Sequence, residues 1–181
     1  MIVPSTRYFT AGEVETGAYL NASVTNLGNF MLGRPVAQLV TSTAGGNAVA
    51  ATTAVAIPFT SSNINRDNAW SSGTNPSRYT AATAGWYWVS GSMSWANTAL
   101  TYRSSFLRTN GSTAVPGSTF TILGSSTAGS QTTTSNGFVY LNGTTDYIEL
   151  IAYSGTATTL GTPPSGTAAQ TACLTVVWVS L

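Results

Sequence analysis

The chain has 181 residues, of which only 6% are charged: six Arg and five acids, with no Lys, no His and a net charge of +1. An ordinary soluble domain carries roughly 25% charged residues. Six Arg scattered from Arg7 to Arg108 cannot form the clustered positive face that phosphate neutralisation requires, so nucleic-acid binding is excluded, and catalysis through an imidazole is excluded outright.

Met1–Thr10 has neither the basic start nor the apolar centre of a signal peptide. No run approaches the ~18 consecutive apolar residues of a membrane span. Thr10-Ala-Gly-Glu13 fits a capping box, and Thr16 is a second N-cap candidate. Leu20, Val24, Leu27 and Met31 follow at helical spacing and predict a helix over Thr16–Leu32, with Gly33 as its C-cap and Pro35 just beyond. Such a helix is marginal alone in water and too short to hold a coiled coil. Its stripe must therefore dock on its own domain, on other copies or on a larger partner. Residues 1–35 are set apart as an anchor segment, with Leu20, Val24, Leu27 and Met31 as the attachment stripe, and residues 36–181 as a β-domain.

From Gln38 onward, short alternating runs recur between Gly, Asn, Pro and Ser/Thr clusters, the pattern of an all-β sandwich or barrel. Strands are predicted at Ala37–Thr41, Ala50–Phe59, Ser77–Ala81, Trp86–Trp95, Tyr102–Thr109, Thr119–Leu123, Gly137–Asn142, Tyr147–Tyr153 and Ala172–Ser180. Asn63-Ile-Asn65-Arg-Asp67-Asn68 has oxygen ligands at alternate positions, but Asn68 and Thr74 replace the glycine and glutamate of a calcium loop; a polar surface loop is expected, and no metal. In Gly85-Trp86-Tyr87-Trp88-Val89, both strand faces are apolar. A strand of that kind in an antiparallel sandwich needs cover beyond its own core. Trp86, Tyr87, Trp88, Val89 and Trp178 are therefore candidates for the core or a subunit interface; sugar binding by exposed Trp is the alternative.

Asn110-Gly111 and Asn142-Gly143 are turn signals, and Gly45-Gly46, Ser125–Thr134 and Ser154–Ala169 read as loops. The Asn-x-Ser/Thr triplets at Asn21, Asn110 and Asn142 read as chance matches in a Ser/Thr-rich chain. Asp146 and Glu149 are three apart, so if both are in a strand they point to opposite faces and make no acid/base pair. Asp146 reads as a hairpin-end residue and Glu149 as the partner of a nearby Arg. Cys173 cannot form an internal disulfide, has no histidine to activate it, and reads as a small buried hydrophobe. No catalytic residue, cofactor or metal site is expected.

Several segments carry a family resemblance. Arg78-Tyr-Thr-Ala-Ala-Thr-Ala-Gly-Trp-Tyr-Trp-Val resembles the Gly-x-Tyr segment of the tumour-necrosis-factor (TNF) and complement C1q globular-head superfamily. Leu107-Arg-Thr-Asn-Gly111, Leu141-Asn-Gly-Thr-Thr-Asp146-Tyr-Ile-Glu-Leu and the closing run Leu174-Thr-Val-Val-Trp-Val match further motifs in order, so the likeness covers about Val55 to Leu181. It implies a ten-stranded antiparallel jelly roll, used as a homotrimer for binding rather than catalysis. Phe9-Thr-Ala-Gly-Glu-Val, Leu20-Asn, Val24, Asn26 and Phe30-Met-Leu-Gly-Arg-Pro35 resemble the leader of tailed-phage virion proteins. The combination implies a structural virion protein, made without a signal peptide in the host cytoplasm and displayed on the virion surface as a trimeric head decoration. Its expected partners are itself and other virion proteins, such as the major capsid protein. The alternatives are a minor tail or tail-fibre tip protein binding host-surface glycan, and a carbohydrate-binding module.

Overall fold

The computed structural model describes residues 11–12, 16–42, 47–96, 101–124, 130–161 and 170–181. Helix α1 spans Gly17–Gly33, within a residue of the sequence expectation. It is followed by β1 (Val36–Thr41), β2 (Ala48–Val49), β3 (Val55–Ala56), β4 (Ser61–Asn65), β5 (Tyr79–Thr80), β6 (Ala84–Trp95), β7 (Tyr102–Thr109), β8 (Thr113–Ala114), β9 (Phe120–Leu123), β10 (Gln131–Asn142), β11 (Tyr147–Ser154), β12 (Thr158–Thr159) and β13 (Ala172–Ser180).

The strands with the clearest alternation form where the pattern places them, and β7 and β13 coincide with their predicted spans. Several expectations fail: Ser77–Ala81 supplies only β5, and the Ser154–Ala169 stretch, read as a loop, holds β12. Ala50–Phe59 supplies only the short β3, because Thr52 turns the chain with a positive φ of 53° between an isolated bridge of Ala51 to Ser154 and the β3–β11 pairs of Val55 and Ala56. Asn63–Asn65, expected within the polar loop Asn63–Asn68, belong to β4: polar side chains suit an edge strand, and the free edge of β1 supplies its partner. Gln131–Thr134, placed in a loop, extends β10, where it pairs with Ser92–Trp95.

The strands form two main sheets. One has the order β10-β6-β13-β1-β4; the other has the path β3-β11-β7-β8, with β5 also on β11 and β9 also on β7, and β12 and β2 make a separate ribbon. Every named ladder is antiparallel, and apart from β8 and β9 on β7 the neighbours are mostly distant in sequence, as in a jelly roll. The inward residues Leu39, Tyr87, Val89, Leu141, Leu174 and Val176 of the first sheet meet Leu107, Ile148, Leu150 and Ala152 of the second. The sheets are so close at Gly91 that a Cβ there would lie 2.5 Å from Leu150 Cδ1.

Hydroxyls enter this core as well as covering the surface. Ser135 donates to Ser105 at 2.7 Å, Trp95 Nε1 donates to Thr133 Oγ1 at 3.0 Å, and all four residues are buried. Each buried polar atom that is paired avoids the ~1–3 kcal/mol cost of being left unsatisfied.

Among the described residues, the last turn of α1 is held by the β-domain. Phe30 is buried and sits edge-on to Trp178, with ring centroids 5.0 Å apart, while Arg66 Nη1 donates to the Leu32 carbonyl at 2.7 Å. Trp178 N–H donates to the Pro35 carbonyl at 3.0 Å, fixing the exit of the helix into β1. Val24, Leu27 and Met31 are 64%, 56% and 61% exposed, so they do not dock on their own domain. Thr10 and Glu13 of the expected capping box, and the side chain of Leu20, lie outside the described residues.

Candidate functional site

Directly opposed residues of an antiparallel ladder share a face, so the outward surface of the five-stranded sheet can be read in rows. Val36, Val177, Trp88 and Phe138 make one row across β1, β13, β6 and β10. Trp86 lies opposite Tyr140 in the row beyond. In the other direction come Gln38, Thr175, Ser90 and Asn136, then Cys173, Ser92 and Thr134. Across β13, β6 and β10 the outward face is therefore aromatic at the end where α1 joins and polar at the other, with Val40 of β1 and Ile64 of β4 continuing the polar rows at its margin.

Its four large aromatics are open. Trp86 is 45%, Trp88 37%, Phe138 56% and Tyr140 50% exposed. Trp86 meets Tyr140 at 5.9 Å with an interplanar angle of 71°, and Trp88 meets Phe138 at 4.9 Å and 58°. These are edge-to-face and tilted pairs, in which the quadrupole of one ring favours the edge of the other. Trp178 takes the opposite course and turns into the core. Gly85 permits this: its φ of 143° suits glycine, and a Cβ there would lie 2.4 Å from both Trp178 Nε1 and the Ser180 carbonyl oxygen. Trp178 Nε1 donates to the Ala84 carbonyl at 3.0 Å.

The candidates named from sequence thus divide. Tyr87 and Val89 are fully buried core, Trp178 is buried beside them, and only Trp86 and Trp88 face outward. Trp95 is buried, and Trp70 is half-buried with Nε1 donating to the Pro76 carbonyl at 2.8 Å. Phe138 and Tyr140 belong to the same surface and were missed. Their alternation with Val139 and Leu141 was visible, but their place beside Trp88 and Trp86 depends on the β10–β6 register.

The ionisable groups are engaged elsewhere. Glu149 is held between Arg78 Nε at 3.3 Å and Arg108 Nη2 at 3.0 Å, and Arg78 lies 4.1 Å over the Tyr147 ring. Asp146 closes the β10–β11 connection by accepting from Asn142 N–H at 3.0 Å and Asn110 Nδ2 at 2.9 Å. The two acids have separate partners, Asp146 in the connection ahead of β11 and Glu149 within β11. Tyr79 donates to Asp67 Oδ2 at 2.6 Å and Tyr87 to the Thr83 carbonyl at 2.6 Å. Burial first, and the negative Asp67 second, push both phenols well above their usual range, so they remain protonated donors.

Burial also pushes the Cys173 thiol up, which disfavours the reactive thiolate. Asn63 Nδ2 donates to Gln38 at 2.8 Å and Asn65 Nδ2 to the Trp70 carbonyl at 2.9 Å, so the side chains of the Asn63–Asn68 segment do not converge. Among the described residues no group of three or more His, Cys, Asp or Glu is placed to hold a metal ion, and no helix is long and apolar enough to cross a membrane.

No protein-family model and no curated protein matches the chain. Among solved structures, crystal structures of murine APRIL at pH 5.0 and at pH 8.0 are similar to it. Each has a TM-score of 0.51 and 13% sequence identity, over 79% of this chain and 98% of the APRIL chain. The likeness shows the fold: a TNF-like antiparallel jelly roll with one short helix.

Proposed function

We propose that this chain is a non-catalytic structural protein of a phage virion, a homotrimer of jelly rolls attached to the particle surface through residues 1–35. The observation that carries the assembly is the open cluster of Trp86, Trp88, Phe138 and Tyr140. Monomeric proteins rarely leave a contiguous apolar patch of this kind in water. Val177 and Ser180 of β13, which lie beside the cluster in its rows, are uncharged, and Arg66 comes only beyond Val36. The trimeric state is the one implied by the superfamily resemblance of residues 55–181. Display on a head, as a decoration protein, is supported by the likeness of Phe9–Pro35 to virion leaders and by a surface with almost no charge.

Light scattering tests the assembly: the expected mass is about three times 18.7 kDa, and a monomer at micromolar concentration overturns it. Gold-labelled antibody against the protein should mark phage heads in electron micrographs. Label at the tail selects the minor tail alternative, and particles without label remove the virion assignment.

Exposed Trp86 and Trp88 also favour a second reading, recognition of host-surface glycan. A sugar ring stacks on a free aromatic face, whereas here each Trp is engaged by a neighbouring ring, which favours protein contact. Quenching of Trp fluorescence by oligosaccharides, lost in Trp86→Ala, would select the glycan reading.

A further inference from the structure

We infer that α1 is a self-association element: Val24, Leu27 and Met31 pack against the same residues of two other copies, giving a parallel three-helix bundle at the aromatic end of the trimer. This rests on the trimeric reading above and assigns a partner to a helix face that the single chain leaves open. Four observations carry it.

The first is the spacing. Leu20, Val24, Leu27 and Met31 recur at intervals of four, three and four residues. That places Leu20 and Leu27 at d and Val24 and Met31 at a of a heptad seam. The second is rotation. At about 100° per residue, Phe30 lies roughly a quarter-turn round the helix from the centre of that stripe. Phe30 makes the contact with Trp178 while Val24, Leu27 and Met31 remain exposed, so the domain and the stripe use different flanks.

The third observation is position. Val36, just past the helix, shares its cross-strand row with Val177, Trp88 and Phe138, so α1 joins the domain at the aromatic end. A trimer closed over those aromatics brings three helix bases to one end of the assembly. The fourth is charge. Gly17–Gly33 contains no ionisable side chain except the Tyr19 phenol, so parallel copies meet no repulsion between like charges. Length argued against a coiled coil for a free helix, but a base already joined raises the effective concentration of the three helices into the millimolar range and supplies the fixed start that isolated helices lack. Residues ahead of α1 are then the part of the anchor segment left to reach the particle.

The test is oxidative cross-linking of the full chain in a Cys173→Ser background. Leu27→Cys places thiols at the seam, where facing chains come within disulfide reach. Asn29→Cys places them on the opposite flank. On mild oxidation Leu27→Cys should give covalent dimers with the third chain unlinked, at least tenfold more than Asn29→Cys, while light scattering still reports a trimer. A trimer in which both variants cross-link equally poorly overturns the bundle, leaves the jelly-roll trimer standing and assigns the stripe to another partner. A monomer overturns the trimeric reading and the bundle together. If Leu27→Cys reduces assembly, Val24→Cys repeats the comparison one turn earlier on the same seam.

Discussion

The outward faces of the two sheets are built from similar strands and end differently. On the second sheet, Glu149 and Ile151 point away from the core of β11 and are nonetheless buried by their own chain. Glu149 is enclosed by Arg78 and Arg108, while further along the sheet Tyr102, itself 46% exposed, stacks on Tyr153 at 5.9 Å. On the first sheet, Trp86 and Trp88 of β6 and Phe138 and Tyr140 of β10 are left open. A chain that covers a carboxylate on one outward face and exposes two indoles on the other has not run out of covering material. On the proposed reading the aromatic cluster of the first sheet serves assembly and the region around Glu149 serves the fold, although Phe120 and Leu123 at the β9 edge of the second sheet are exposed as well.

The comparison is anchored by the core itself. Trp95→Ala should cost about 3–5 kcal/mol, because the indole is fully buried and bonded to Thr133; urea unfolding should show it whatever the oligomeric state. Next comes the open face. Trp88→Asp should weaken assembly by about 2–4 kcal/mol, the range of a central aromatic hot spot. Scattering should then report a mass near 18.7 kDa with the circular dichroism of the fold retained. Loss of the fold instead would mean that Trp88 serves the chain and not the interface.

On the closed face, Glu149→Gln should cost about 1–3 kcal/mol in thermal or urea unfolding, since it leaves Arg78 and Arg108 without their shared carboxylate; oligomer mass should not change. A fall in mass would place Glu149 at the interface and break the contrast.

Alkaline pH should weaken the fold more gently. Tyr79 and Tyr87 keep their protons in the folded state beyond the ordinary tyrosine value of 10.0, whereas the unfolded chain loses them there. Above that value the unfolded state binds fewer protons than the folded one, so stability is intact below about pH 10 and declines as pH rises further. A melting temperature flat from pH 9 to pH 12 would contradict this. The smallest effect is expected for Trp86→Ala in a Trp88→Asp monomer: within about 0.5 kcal/mol, as for an ordinary surface position.

Much of this was legible in the chain. The 4-3-4 stripe closed by Gly33 predicted α1 to within a residue, because helix formation answers to local periodicity and caps. Alternation placed β6, β7, β11 and β13 for the same reason. Asn110-Gly111 turns with φ of 51° and 71°, which only such residues adopt at low cost. Asp146 lies ahead of β11 and not in it, so its separation from Glu149 comes from the β10–β11 connection and not from strand alternation.

What tertiary structure decided is which face meets what. Period-two alternation marks two sides of a strand without saying which is inward, so Trp86–Val89 could not be divided until β13 and β10 were laid beside β6. Arg103 goes inward and is fully buried near Trp95 simply because Tyr102 and Leu107 set the phase of β7. Polar Ser61–Asn65 became a strand only because β1 offered a free edge. Phe138 and Tyr140 joined Trp88 and Trp86 through a register spanning some fifty residues of intervening chain. Helices and turns are decided by neighbours in sequence; sheet surfaces are decided by neighbours in space, and those arise only when distant strands pair.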